Sequence, residues 1–257
     1  MTSAKIQLFQ FPRMFAIPNL SPFCSKLETW LRIAGIPYDV IDTTDPRKGP
    51  RGKLPFIEDE GVRIADSSLI IDHLQKTRGV DPDASLDSQQ RAVALVVQRT
   101  LEDHYAFVLA YTHLVRDQGA RHTRSRFDAV PAMVRPLVER LVTRQVKKLL
   151  WFQGTLRRED GEIMHAAIGD WTAVLRLMSD GPYFFGSEPT TVDAIVFATL
   201  ATSLLTPIES PIRDFLSSQS RLTSYVEGMR SRFFPELAAA GDAVVSPAQA
   251  PRLRQTM

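Results

Sequence analysis

Residues Asn19–Lys26 read NLSPFCSK, and this stretch marks the start of a helix. Ser21 precedes Pro22; serine is among the best N-cap residues, and proline is favoured at the first helical position. Gly35 and Pro37 end the helix. Before them, apolar residues recur on one helical face: Phe23, Leu27, Trp30, Leu31 and Ala34. The pattern predicts a helix that Ser21 caps.

The hydroxyl of Ser21 has two interpretations. It is a simple helix cap, which serine is wherever a helix begins, or it also has a chemical role. A helix N-terminus offers free N–H groups and partial positive charge that stabilise a thiolate, and a hydroxyl there can donate a hydrogen bond to the sulfur. In the second case Ser21 is a candidate catalytic residue that acts on a foreign sulfur and is not itself a nucleophile.

Cys24 is the only cysteine of the chain. An internal disulfide and a zinc cluster of several thiolates are therefore excluded, which favours a reducing, cytoplasmic location. Cys24 falls in the first helical turn, where the dipole can lower its thiol pKa, but it also lies beside Leu27 and Leu31 at the edge of the buried face. A buried, unreactive thiol is favoured over a catalytic one.

Two parts of the chain differ in their hydrophobic period. Residues 4–80 alternate between strand and helix patterns in the order βαβββα, with Glu60-Gly61 as a hairpin turn. The loop TTDPRKGPRGK before the third strand predicts only a short helical turn. Residues 88–240 have almost no strand signal, and residues 241–257 look like a poorly ordered or surface-draped tail. The period therefore predicts an α/β domain, an all-α domain and a site at the seam between them.

The helical region divides into several predicted helices. One apolar stripe runs from Val93 to Tyr111 and closes near Gly119. Further helices are predicted over residues 130–158, 161–180 and 212–233, together with the nearly all-apolar TTVDAIVFATLATSLL. That last run predicts a buried central helix.

The stretch GKLPFIED supplies a second candidate site element. A cis Pro55 would expose the backbone of Leu54 for pairing with an extended peptide, although from the residues alone a trans bond is favoured. Lys53, next to it, either meets a carboxylate or is solvated.

The stretch ADSSLIIDHL supplies a third element, at the junction of a strand and a helix. Ser67 can cap this helix while the nearby backbone N–H groups accept an anion and Asp66 faces an ammonium group. Taken together with Ser21, these elements predict a cradle for a small zwitterionic peptide that carries a thiol.

Composition and motifs argue against several classes of function. The 31 basic and 29 acidic residues nearly cancel, and no glycine-rich phosphate loop is present, so neither a nucleic acid nor a nucleotide is an expected partner. Residues 116–158 hold 11 Lys/Arg against 3 Asp/Glu. Solvated helix faces are favoured over a basic binding stripe as the explanation of this excess.

The apolar run Ala194–Leu205 is too short to span a bilayer, and we expect no membrane anchor. His104 lies on the apolar stripe without a second ligand at metal spacing, so we expect a core residue and no metal.

The three stretches SPFCSK, GKLPFIED and ADSSLIIDHL, in this order and at these spacings, resemble the thioredoxin-like N-terminal domain of the glutathione transferase superfamily. PTTVDAIVFATL resembles the capped buried helix of that superfamily's C-terminal domain, with Thr190 as the cap and Asp193 three residues on. The likeness covers about residues 4 to 240. More narrowly, FQFPR and KLETWLRIAGIPYDV resemble the subgroup of the failed axon connections proteins and the metaxins, together with bacterial relatives.

The resemblance implies a glutathione transferase-like fold and a role for each site residue. Ser21 would activate the thiol of glutathione, and Leu54 would pair its backbone with the cysteinyl part, with Pro55 cis. Asp66 and Ser67 would hold the γ-glutamyl group, and Lys53 would lie near the glycyl carboxylate. Residues 11–20 form a longer connection than in typical transferases and could cover, reshape or block this site.

Three functions follow as hypotheses. The first is a serine-type glutathione transferase that conjugates glutathione, as co-substrate and without another cofactor, to a small hydrophobic electrophile. The aromatic residues Tyr105, Tyr111 and Phe15 are candidates to line the electrophile site, with core packing favoured for each. The second is a non-catalytic, metaxin-like interaction module, and the third is a Cys24-dependent glutathione thiol oxidoreductase. Dimers are usual in the superfamily, so a homodimer is the expected assembly.

Overall fold

The computed structural model describes residues 5–128 and 130–237 of the 257-residue chain. The predicted tail over residues 241–257 lies outside these residues. Within them the chain first forms a four-stranded sheet with two helices and then continues as helices. The predicted fold class, an α/β thioredoxin-like region followed by an all-α region, is confirmed.

The α/β region follows the predicted order βαβββα. Its elements are β1 (Ile6–Gln10), α1 (Pro22–Ile33), β2 (Tyr38–Asp42), β3 (Phe56–Asp59), β4 (Val62–Ala65) and α2 (Ser67–Arg78). The loop before β3 contains a single 3-10 turn, Pro46–Lys48, as the sequence predicts. Gly61, with φ of 80°, takes the left-handed conformation that the β3–β4 hairpin turn requires.

The strand order in the sheet is β2-β1-β3-β4. β1 pairs in parallel with β2, and the other two pairings are antiparallel, so that Leu8 lies opposite both Val40 and Ile57. Alternate residues of β1 are buried because α1 and α2 cover one face of the sheet. This packing fixes the N-termini of both helices at one end of the sheet.

The helical region begins at Ser88. Its helices are α3 (Ser88–Arg99), α4 (Ala106–Leu114), α5 (Asp117–His122), α6 (Arg135–Gln153), α7 (Asp160–Leu177), α8 (Thr191–Leu204), α9 (Pro211–Ser218) and α10 (Ser220–Phe233). A π-helical segment, Thr100–Tyr105, joins α3 to α4, so the predicted stripe from Val93 to Tyr111 is carried by one continuous helical rod.

Two helices have bounds that differ from the predicted ones. The single helix expected over residues 212–233 is two helices, because Gln219 has extended backbone angles (φ −93°, ψ 94°) and interrupts the hydrogen-bond ladder. The helix expected over residues 130–158 is confined to Arg135–Gln153 and ends at Gly154, whose φ of 110° is left-handed.

α8 is the buried central helix that the sequence predicts. Thr190 and Asp193 form a capping box at its N-terminus. Ala194 packs in the core of the α/β region, and the indole of Trp30 donates a hydrogen bond to Thr191 Oγ1 at 3.2 Å. α8 therefore belongs to the cores of both regions, and the seam between them is closely packed.

Candidate functional site

Ser21 lies at the N-terminus of α1 and is the N-cap that the sequence predicts. Its backbone is extended (φ −78°, ψ 119°), and its Oγ accepts a hydrogen bond from the backbone N–H of Cys24 at 3.4 Å. The residue as a whole is half-buried.

Cys24, one turn further along α1, is buried. Burial raises the pKa of its thiol to about 12, against smaller opposing effects of hydrogen bonds from Ser21 and the Phe11 backbone. The thiol is therefore protonated at neutral pH. This is the unreactive state that the sequence analysis favours.

The three predicted site elements come together in one small apolar cluster. Cys24 of α1, Leu54 and Phe56 of the GKLPFIED stretch, and Ala65 at the end of β4 pack against one another. Because Ser21 lies one turn before Cys24 and Asp66 directly follows Ala65, the candidate residues surround the edge of this cluster. The structure thus joins stretches that are distant in sequence.

Leu54 belongs to the same apolar cluster as Cys24, in the first turn of α1, and Ala65, the residue before the cap of α2. The Leu54–Pro55 peptide bond is cis. Leu54 is outside the strands, and within the part of the chain that the structure describes neither its backbone N–H nor its carbonyl has a hydrogen-bond partner. A backbone edge of this kind can pair with an extended peptide.

Lys53 is exposed at the tip of the same loop. The loop turns tightly at Gly49, where a Cβ atom would lie 2.6 Å from the carbonyl oxygen of Lys53. Only glycine fits there without a shift of the backbone. Gly49 therefore fixes the path that carries Lys53 and Leu54 to the site.

At the start of α2 the structure corrects the predicted cap. Asp66, not Ser67, is the N-cap: its Oδ1 accepts hydrogen bonds from the N–H groups of Ser68 at 3.0 Å and Leu69 at 3.5 Å. Ser67 is the first helical residue and is buried. Asp66 has φ of 82°, a backbone region that costs a non-glycine residue about 1–3 kcal/mol.

Behind α2 lies a buried polar cluster that the sequence analysis missed. Lys26 Nζ donates to Glu102 Oε1 at 2.5 Å and to Ser68 Oγ at 2.9 Å, and Gln98 donates to both Ser68 and Glu102. Lys26 is 1% exposed and Glu102 6% exposed. The one local signal was a lysine at position 26, within the apolar face of α1, which requires an acidic partner.

Residues 11–20 pack mainly against the helical region. Ile17 is fully buried in its core, and Phe15 and Leu20 pack beside it. The Asn19 side chain donates to the Phe11 carbonyl at 2.6 Å and accepts from the Ser21 N–H at 3.1 Å. The segment is thus tied to the cap of α1 and still leaves Ser21 half-buried.

An ion-pair network holds the same segment from the other side. Glu28 of α1 is fully buried and contacts Arg13, Arg32 and Tyr38. Arg32 also donates to Glu236 at 2.7 Å, beyond the end of α10. The network joins the 11–20 segment, α1 and the end of the described chain.

The remaining residues singled out in the sequence lie away from the three-element cluster. Tyr105 is buried with its Oη 2.7 Å from Ser203 Oγ, and Phe15 packs on the helical core, as favoured. His104 Nδ1 lies 2.5 Å from Asp170 Oδ2, and this hydrogen bond raises the His104 pKa. Tyr111 lines a separate cleft of the helical region.

Two further findings concern the described residues only. None of their helices combines the length and apolar character needed to cross a bilayer. None of their His, Cys, Asp and Glu side chains gather in groups of three or more that could hold a metal ion.

Comparison with family models gives two matches. Residues 22–119 match the glutathione S-transferase N-terminal domain, and residues 167–229 match the glutathione S-transferase C-terminal domain. The first match includes α1, the Leu54–Pro55 bond and the start of α2. The residues between 119 and 167 belong to neither match.

Three curated relatives resemble the chain over most of its length. Failed axon connections of Drosophila melanogaster is 30% identical over 90% of this chain, which spans only 58% of that relative. Isoprene-epoxide glutathione S-transferase of a Rhodococcus species is 27% identical over 89% of this chain and 99% of its own. Metaxin-1 of Mus musculus is 25% identical over 99% of this chain and 82% of its own.

The similarity in fold to a solved structure also covers nearly the whole chain. The solved structure of glutathione S-transferase III in its apo form aligns with 96% of this chain and 100% of its own, with a TM-score of 0.58 at 16% identity. Both family models, the curated relatives and this fold indicate the same superfamily. The chain belongs to the glutathione S-transferase superfamily, and its relatives include failed axon connections and metaxin proteins.

Proposed function

We propose that this chain is a serine-type glutathione transferase that conjugates glutathione to a small hydrophobic electrophile. The observation that carries the proposal is the backbone of Leu54, which has no hydrogen-bond partner among the described residues and belongs to the cluster that joins the first turn of α1 to the end of β4. An extended tripeptide laid along this edge would reach Ser21 with its sulfur and Asp66 with its amino end. The full-length similarity to isoprene-epoxide glutathione S-transferase supports the same function.

The bound peptide would use groups that the protein itself leaves free. Asp66 caps α2 with Oδ1, and its Oδ2 has no hydrogen-bond partner among the described residues, so it can accept from the γ-glutamyl ammonium. The first turn of α2 and Ser67 would hold the γ-glutamyl carboxylate, because a helix N-terminus favours an anion. Lys53, exposed at the loop tip, would meet the glycyl carboxylate.

Ser21 would then act on the thiol of glutathione. Its hydroxyl donates to the sulfur, and the N-terminus of α1 adds partial positive charge, so the thiol proton leaves to solvent more readily. A pKa lowered by two units corresponds to about 2.7 kcal/mol in favour of the thiolate. The thiolate forms a C–S bond with the electrophile as the bond from that carbon to its leaving group breaks, and the leaving group departs as an anion. With an epoxide the C–O bond breaks instead, and the resulting alkoxide takes a proton from solvent.

Paired serine variants test this role. In Ser21→Ala, kcat/KM for glutathione with 1-chloro-2,4-dinitrobenzene or a small epoxide should fall about 10- to 100-fold, as for loss of one hydrogen bond to a charged group. The pH profile of kcat/KM should move to higher pH, whereas the glutathione Kd should change less. Ser25→Ala is the matched control, because the Ser25 Oγ is buried in α1 and has no hydrogen-bond partner among the described residues. Equal turnover in Ser21→Ala and the wild-type protein would remove Ser21 from the mechanism.

A second candidate function, a non-catalytic interaction module, is favoured by the similarity to metaxin-1 and Failed axon connections. Ligand stabilisation separates it from the enzyme. If the site binds glutathione, saturating glutathione and S-hexylglutathione should both raise Tm, since a ligand at 100 times its Kd adds about 2.7 kcal/mol to stability. No shift with either compound would favour the module.

The third hypothesis, a thiol oxidoreductase acting through Cys24, has less support. A reactive cysteine requires an accessible thiolate. Cys24 is buried, and its burial raises the thiol pKa to about 12. Cys24→Ser should therefore leave conjugation intact.

A further inference from the structure

α6 is the longest helix among the described residues, and its burial is confined to one side. Half-buried residues recur at intervals of four, at Val138, Val142 and Val146, and lead to Leu150, which is fully buried. Residues four apart lie on one helical face, so this face is the inner one. Both family-model matches leave α6 out, and its outward side therefore belongs to a part of the chain that they do not describe.

The outward side of α6 carries large apolar side chains in contact with water. Leu137, Leu141 and Phe152 are 59%, 57% and 68% exposed, and the nearby Trp151 is 53% exposed. At 3.6 residues per turn, the first three lie within about 60° of one another around the helix axis. Side chains this open form a ridge, and each gains free energy when an apolar medium covers it.

The same side of α6 is strongly basic. Residues 133–152 contain five basic residues and one acidic residue, Glu139, which is bonded to Arg124 at 3.0 Å. Four of the basic residues are exposed and form no salt bridge with a described residue: Arg140, Arg144, Lys147 and Lys148. Lys148 Nζ lies 5.8 Å from the centre of the Phe152 ring, so positive charge lies directly beside the ridge.

A basic helix face with an apolar ridge suits the surface of an anionic bilayer. Helices that lie in such an interface place Leu, Phe and Trp at the boundary of the acyl chains, while Lys and Arg meet the anionic headgroups. Long basic side chains can reach the headgroups from a backbone that lies deeper. The two kinds of side chain on α6 would therefore be satisfied at the same time.

A second copy of the chain fits this face less well. A twofold pairing places the same face on both sides of the interface. Arg144 and Lys148 lie between Leu141 and Phe152 in the sequence, so pairing along the ridge would bring cations against cations. Such like-charge contacts oppose association. A helical peptide partner, in turn, is bound in a groove, whereas α6 offers a ridge.

We infer that α6 docks the protein on an anionic phospholipid surface. Leu137, Leu141 and Phe152 would enter the boundary of the acyl chains, and the four exposed cations of α6 would contact the headgroups. Docking of this kind is peripheral and reversible, and it needs no spanning segment. The inference does not depend on the proposed glutathione chemistry.

The test is cosedimentation of the full-length protein with vesicles. The protein should bind vesicles of phosphatidylcholine mixed with phosphatidylserine at least tenfold more tightly than pure phosphatidylcholine, and added salt should weaken this binding. Arg144→Glu should weaken it at least about fivefold, because each cation near an anionic surface contributes. Leu141→Ser should weaken it about tenfold, because a buried leucine is lost.

Two matched controls change the same residue types elsewhere. Lys76→Glu reverses an exposed charge on α2, and Leu177→Ser removes an exposed leucine at the far end of α7. Both should bind the mixed vesicles as the wild-type protein does. Tm measured for all four variants checks that each is folded.

Tryptophan fluorescence shows whether α6 itself enters the lipid. Trp151 is exposed, whereas Trp30 and Trp171, the other two tryptophans of the chain, are fully buried. A brominated phospholipid quenches an indole that reaches the acyl chains. Mixed vesicles that contain this lipid should therefore quench the wild-type protein, and the quenching should be lost in Trp151→Phe.

Three results would each overturn the inference. The first is equal vesicle binding by the wild-type protein, Arg144→Glu and Leu141→Ser, and the second is quenching that persists in Trp151→Phe. The third is no binding to the mixed vesicles, whether the ridge then proves to pair two copies, as a dimer that Leu141→Ser dissociates, or to hold an acidic peptide.

Discussion

His113 is a buried histidine that stays uncharged in the folded protein. Its Nδ1 lies 2.9 Å from the Leu109 carbonyl, and its Nε2 lies 3.3 Å from Thr206 Oγ1. Burial lowers its pKa from 6.5 to about 4. The unfolded chain therefore takes up this proton at a higher pH than the folded protein, and acid favours unfolding.

The expected result is a loss of stability between pH 6.5 and pH 4. His113 alone contributes a slope of up to about 1.4 kcal/mol per pH unit in the free energy of unfolding. Urea denaturation across this range should show a slope that is shallower by one proton in His113→Gln. His122→Gln, at an exposed position, is the control and should keep the wild-type slope. Parallel curves for the two variants would refute the prediction.

Residues with strong local signals were the ones that the sequence could predict. A serine before a proline at the start of an apolar stripe predicted the cap of α1, and Thr190 with Asp193 predicted the cap of α8. Asp66 and Ser67 are adjacent and both cap helices well, so their roles could not be told apart until the backbone placed Asp66 at φ 82°.

Among the elements, the segment of residues 11–20 is tied to the cap of α1 by the Asn19 side chain. Asn19 is fully buried and makes hydrogen bonds to the Phe11 carbonyl and the Ser21 N–H. In Asn19→Ala both groups lose their partner, so the free energy of unfolding should fall by about 2 kcal/mol. The cap of α1 should loosen as well.

Two measurements check this prediction. Urea denaturation gives the stability change, and exchange of the Ser21 amide hydrogen, followed by NMR, should be faster than in the wild-type protein. Gln145→Ala, which removes an exposed amide from α6, is the control. Unchanged exchange at Ser21 would contradict the proposed tie between Asn19 and the cap.

The helices and strands were predictable where the hydrophobic period agrees with the positions of glycine and proline. The order βαβββα and the short turn before β3 follow from alternation, glycine and proline. The break at Gln219 was missed because its flanking serines carry no strong stop signal. The π-helical segment was missed for a different reason: it turns Glu102 toward Lys26, a partner 76 residues away in the sequence.

On the scale of the whole molecule, the Lys26–Glu102 pair should contribute strongly to the coupling of the two regions. Removal of one partner leaves a buried charge without compensation and should cost about 3–5 kcal/mol in Lys26→Met or Glu102→Leu. The double variant should be more stable than the sum of the two losses predicts, since no charge is then left unpaired.

A double-mutant cycle by urea denaturation measures this coupling. The exposed pair Lys5–Asp39, with N···O of 3.1 Å and side chains 61% and 58% exposed, is the matched control. Its coupling energy should be below about 1 kcal/mol. Strict additivity at Lys26 and Glu102 would show that the pair does not hold the seam.

Two contacts limit how the chain can be divided for protein engineering: Ala194 packs in the core of the α/β region, and Trp30 donates a hydrogen bond to Thr191. A fragment cut in the connection after α2 would lose the helix that completes its interior and expose tryptophan to water. The chain is thus a poor source of interchangeable modules, and any chimera must inherit the α1 and α8 surfaces as a matched set.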